Sequence, residues 1–113
     1  MLEISEGNLL PMLDLDCKNG PEFAAGDVRA IENPGLTSMH TIFVREHNRI
    51  ARELRRINPQ FNDERLFQEA RRINNAQYQH IIFNEFLPII IGKNFLDNFG
   101  LSPLTKGFSD TYR

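Results

Sequence analysis

The chain has 113 residues, 41% hydrophobic and 25% charged, with 13 basic against 15 acidic side chains. That length builds one modest domain and not two, and a net charge of -2 gives no long-range pull toward nucleic acid or anionic lipid. The longest apolar run, Phe86 to Ile91 with Pro88 inside it, is far too short to cross a membrane.

A single cysteine, Cys17, excludes an intrachain disulfide framework or a cysteine-based zinc site. The opening residues, Met1 to Gly7, lack the basic start and apolar stretch of a secretory signal. There is no Asn-X-Ser/Thr acceptor. A cytosolic protein and an internal piece of a larger one both meet these conditions.

Residues 1 to 35 hold four of the seven glycines and three of the six prolines. Asn19-Gly20-Pro21 and Asn33-Pro34-Gly35 are turn signals, so this third reads as extended or looped chain. From an N-cap at Thr37 or Ser38, apolar residues then recur at Met39, Phe43, Ile50, Leu54 and Ile57. That stripe predicts an amphipathic helix over 36–58, stopped at Asn58-Pro59 because the residue before proline leaves helical geometry.

A second helix is expected over 62–87. Asn62 or Asp63 caps it, and Leu66, Phe67, Ala70, Ile73, Gln77 and Ile81 keep the period. Leu87-Pro88 should end or kink it. Its middle, Asn74 to Gln77, is polar, and buried amides there need partners. Ile89 to Gly92 reads as a short buried link, Lys93 to Phe99 as two helical turns closed by Gly100, and Ser102 to Arg113 as a polar tail. Two helices cover each other only partly, so the expectation is an α-helical piece of a bigger fold.

The run Ala25-Gly26-Asp27-Val28-Arg29-Ala30-Ile31-Glu32-Asn33-Pro34-Gly35-Leu36-Thr37-Ser38-Met39-His40-Thr41 resembles the animal haem peroxidases. The likeness continues through Phe43 to Ala51, Glu64 to Ile73 and Asn84 to Gly92, in the family's order and at about its spacing. It looks nearest to the invertebrate peroxidasin and chorion-peroxidase branch, and Gly107 to Tyr112 resembles the stretch shortly before the family's proximal-histidine motif. The resemblance implies a mainly α fold, here a helical segment of a partial haem peroxidase domain with two long helices and an extended N-terminal stretch.

It also implies hydrogen-peroxide-dependent oxidation of small reducing donors on a covalently linked haem b. Arg29 matches the arginine of the family's Gly-Asp-X-Arg-X-X-Glu motif, which stabilises the departing peroxide oxygen and contacts the cofactor. Glu32 matches the glutamate that forms an ester with a haem methyl group. Spacing alone reads Arg29 and Glu32 as an exposed i, i+3 ion pair of little worth. Asn33 stands where some mammalian members carry a methionine that bonds a haem vinyl group, so no sulfonium link is expected.

His47 fills a core-facing place between Phe43 and Ile50 and reads as a hydrogen-bonded core residue. His40 matches a family position that is not an iron ligand, and His80 stands where related sequences show histidine or an aliphatic residue, so none of the three is assigned to iron. By the resemblance, the distal histidine and calcium loop lie before this stretch and the proximal histidine after it, so this segment holds no ligand for iron or calcium. The implied partner is the remainder of the peroxidase domain, in an extracellular parent, and the isolated segment is expected to be inactive. Cys17 matches a family half-cystine whose partner place is taken by Glu22. The competing class is a non-catalytic peroxidase-like protein kept for adhesion or scaffolding.

Overall fold

A computed structural model describes residues 25–103 and Gly107; Cys17, Glu22 and most of the loop-rich segment lie outside them. Every regular element among the described residues is helical. A 3₁₀ turn at Val28–Ile31 precedes α1 (Pro34–Ile57) and α2 (Asp63–Ile81), and a π-helical turn at Ile82–Phe86 leads into α3 (Leu87–Ile91) and α4 (Lys93–Asn98). The mainly α expectation with two long helices is met.

The start of α1 corrects the sequence reading. Its N-cap is Asn33, not Thr37 or Ser38: Asn33 is extended, at φ -152° and ψ 158°, and its Oδ1 accepts from the Leu36 N–H at 2.9 Å. Pro34 follows at the first helical position, where the missing N–H is no loss and the fixed φ suits a helix. Thr37 and Ser38 lie inside the helix and turn their hydroxyls back onto carbonyls, Ser38 onto Pro34 O at 2.7 Å, as such residues do mid-helix. At the other end the Asn58 N–H reaches Leu54 O at 2.8 Å, and Pro59 stops further winding, as expected.

The link to α2 is tight. Phe61 N–H donates to Asn58 O at 3.0 Å, and Asn62 is the cap of the two candidates, its Oδ1 accepting from Arg65 N–H at 2.9 Å. The guanidinium of Arg65 sits 3.9 Å from the centre of the Phe61 ring. Between the helices Ile50, Ala51 and Ala70 form a buried cluster with Leu54 against it. Alanines at 51 and 70 leave no bulk between the backbones, which permits a close helix–helix approach. The ends of the predicted stripe are uncovered, with Met39 48% and Ile57 64% exposed.

The chain divides between Asn74 and Asn75, within the polar stretch that the sequence singled out. Asn74 Nδ2 donates to Phe43 O at 3.2 Å, tying α2 to α1, while its buried Oδ1 lacks a partner among the described residues. Asn75 and Gln77 are exposed, so the polar middle is mostly a solvent-facing surface and not a run of buried amides.

In residues 75–103 the helical path does not end at Leu87-Pro88. It widens, with the Leu87 N–H bonding Ile82 O, and resumes as α3, where Pro88 occupies the first turn and its absent N–H removes no helical bond. The expected buried link is likewise corrected. Ile89, Ile90 and Ile91 are helical, so they fan around the axis and cannot face one neighbour, leaving Ile89 83% exposed. Gly92, at φ 81°, breaks the path in a conformation that side chains disfavour. α4 ends as expected: Leu101 N–H bonds Leu96 O, Gly100 N–H bonds Asp97 O, and Gly100 takes φ 60°, the paired closure of a Schellman motif.

Candidate functional site at the Arg29–Glu32 turn

The site begins with Asp27. Its extended backbone and its side chain cap the 3₁₀ turn, Oδ1 accepting from the Arg29 N–H at 2.9 Å. Two main-chain bonds, Ala30 N–H to Asp27 O at 3.1 Å and Glu32 N–H to Arg29 O at 2.9 Å, close the turn. Ala30 is buried and its carbonyl accepts the Thr37 hydroxyl at 2.6 Å, so the turn is fastened to the first turn of α1. In 3₁₀ geometry residues i and i+3 eclipse, which sets Arg29 and Glu32 on the same side.

The two do not form the ion pair that spacing suggested. Arg29 Nε donates to Asp27 Oδ1 at 3.1 Å and Nη2 to Asp27 Oδ2 at 2.8 Å, a two-point fork. That contact, more than any charge effect, holds the Asp27 carboxyl at about 2 and raises the Arg29 guanidinium. The depressed carboxyl works in one direction: the contact is fully formed above the ordinary carboxylate range and is lost only as pH falls toward 2. With the Arg29 side chain 72% exposed, the pair adds little to stability; what it adds is orientation. Glu32 is exposed, and its carboxylate has no partner among the described residues.

Asn33, where a vinyl-bonding methionine was not expected, has its side chain committed to capping α1. His47 is 2% exposed, with Nε2 3.3 Å from Phe67 O, Nδ1 3.4 Å from the Asn48 side chain and its ring tilted against Phe67 at 5.2 Å. It is the satisfied core histidine that the stripe indicated. His40 is half-buried and His80 exposed, with His80 Nδ1 3.1 Å from Asn84 Nδ2. His80 and Asn84 share an open groove of about 420 Å³ with Phe83, Leu101 and Pro103.

Sequence reasoning missed Asp27 as the partner of Arg29. The signal was present, since an aspartate before a short turn is a strong cap candidate. Among the described residues no three or more His, Cys, Asp or Glu side chains converge as a metal site. The half-buried His40 imidazole lies near enough to Asp27 to help lower its carboxyl, so the turn gathers an oriented guanidinium, an imidazole, and a Glu32 carboxylate without a partner among the described residues.

The family model for animal haem peroxidase matches residues 2–113. The chain is 47% identical to chorion peroxidase of Aedes aegypti over 90 residues, covering 80% of this chain and 11% of that protein. It is 44% identical to peroxidasin of Drosophila melanogaster over 96 residues, covering 80% of this chain and 6% of that protein. It is 56% identical to myeloperoxidase of Mus musculus over 72 residues, covering 64% of this chain and 10% of that protein. The chain thus spans about a tenth or less of the length of the curated relatives it matches. With its whole length but one residue under the family model, the chain belongs to the animal haem peroxidase family.

Proposed function

We propose that this chain is the Arg/Glu segment of a haem peroxidase domain that oxidises small donors with hydrogen peroxide. The observation that carries the reading is one turn, Asp27 to Glu32, in which Asp27 grips the Arg29 guanidinium while the exposed Glu32 carboxylate, three residues on, has no partner among the described residues. When bound, haem supplies the redox-active iron. Arg29 stays protonated at any working pH and donates hydrogen bonds to the oxygen on which negative charge builds. Glu32 anchors the cofactor through an ester to a haem methyl group.

The rest of the domain supplies what these residues do not: an imidazole to hold the iron, a distal base to move the peroxide proton, and the calcium ligands. The parent is secreted. Arg29→Lys in the domain that contains this segment tests the reading. The charge is kept but the planar fork is lost, so the bimolecular rate with hydrogen peroxide should fall by roughly tenfold or more. An unchanged rate, with haem still bound, would remove Arg29 from the chemistry; an unsubstituted domain that binds haem but does not react with hydrogen peroxide would favour an adhesion or scaffold protein.

A further inference from the structure

A guanidinium on an exposed turn ordinarily samples many rotamers, and a cation that stabilises developing charge works only if it is already aimed. Arg29 is exposed, yet one carboxylate grips it at three points: its own N–H and Nε on Asp27 Oδ1, at 2.9 Å and 3.1 Å, and Nη2 on Oδ2 at 2.8 Å. Because Oδ1 takes both the main-chain cap and the side-chain bond, the direction of the guanidinium is tied to the backbone of the turn. The turn in turn is tied to α1 through Thr37 and Ala30. A guanidinium has five N–H donors; the fork occupies two and leaves three, both on Nη1 and one on Nη2. The adjacent carboxylate also balances the charge, so the side chain offers directed hydrogen bonds more than a bare cation.

We propose that Asp27 is a positioning residue for Arg29, capping the turn and gripping the guanidinium with one carboxylate so that Nη1 and the free side of Nη2 are presented in a single direction. This rests on the role given to Arg29 above. It predicts a separation that Asp27→Asn makes testable: asparagine caps as well as aspartate but offers only one oxygen and no charge to the fork.

Two readouts are needed. In the ¹⁵N-labelled chain the Arg29 Nε–H should be ordered and slow to exchange. In Asp27→Asn it should exchange about threefold faster or more, while the Arg29 backbone N–H keeps its chemical shift. In the peroxidase domain containing this segment, Asp27→Asn should lower the bimolecular rate with hydrogen peroxide roughly tenfold at unchanged haem content, and Asp27→Glu should recover part of it. An Arg29 Nε–H as mobile in the unsubstituted chain as in a free side chain would overturn the proposal. So would order lost in Asp27→Asn with the peroxide rate intact. Arg29→Ala separates the two readings. If it is slow while Asp27→Asn is normal, only the positioning role fails; if it too is normal, the role of Arg29 fails and takes this proposal with it. Should Asp27→Asn shift the backbone signal, Asp27→Ser keeps a capping oxygen too short to reach the fork, and the same outcomes decide.

Discussion

At Glu32 the decisive property is what surrounds the carboxylate, not its charge. Its main-chain N–H closes the turn on Arg29 O, which fixes where the side chain leaves the backbone, while the carboxylate itself is exposed and has no partner among the described residues. An ester needs a carboxylate oxygen, and an amide at the same place cannot supply one under the same chemistry. Glu32→Gln in the complete domain should therefore leave haem bound and remove one covalent attachment. Acidic organic extraction measures this once any second linkage is disabled; retention equal to that of the unsubstituted domain would exclude the ester. The resemblance to the Gly-Asp-X-Arg-X-X-Glu motif singled out Arg29 and Glu32, which spacing alone would have read as a surface ion pair. It did not reveal whether Arg29 turns forward to Glu32 or back to Asp27, because that depends on the cap and on the extended backbone at Asp27, and both spacings are sterically open.

On the scale of elements, the stripe along α1 was legible because burial follows the helical period, and the boundaries were not, because caps compete locally. Thr37 and Ser38 stood nearest the first periodic residue, but Asn33 followed by Pro34 is the stronger start, since the proline lacks the N–H that the first turn cannot use. Pro88 was read as an end or a kink, and the regular α-helix does give way before it, to a π-helical turn at Ile82–Phe86 from which α3 resumes. His47 was placed correctly. Its ring fills the space between α1 and Phe67 and satisfies a carbonyl there. His47→Asp would set a charged acceptor against that carbonyl in the interior, a change that costs about 3 kcal/mol or more. His40→Asp, at a half-buried place, should cost clearly less. Urea unfolding of the two variants in a folded parent domain compares them, and equal losses would show that His47 does not bear on the packing of α1 and α2.

For the whole molecule the argument turns on surface left uncovered. Among the described residues Met39, Ile42, Ile57, Phe86, Ile89, Ile90 and Phe99 are each 48% exposed or more, a large apolar load for a chain this short. Such faces are stable when further chain packs on them, and this chain spans about a tenth of its relatives' length. The sequence foretold this shortage from the two helices alone; it did not show that Ile89, 83% exposed, would stand so far out, because a run of isoleucines reads as buried until its helical path is known. The same shortage governs the cofactor. His47 is committed to Phe67, and the resemblance sets the distal and proximal histidines outside this segment, so Arg29 in the isolated chain is expected to have no bound peroxide to act on. The isolated 113-residue chain should take up haem weakly and without fixed stoichiometry, and show peroxidase turnover no higher than free haemin. Titration of the purified chain with haemin, followed by an assay against haemin alone, measures both. A sharp one-to-one Soret shift with peroxide-dependent turnover well above that control would mean that a histidine of this chain binds the iron after all, and exposed His80 would be the first to replace.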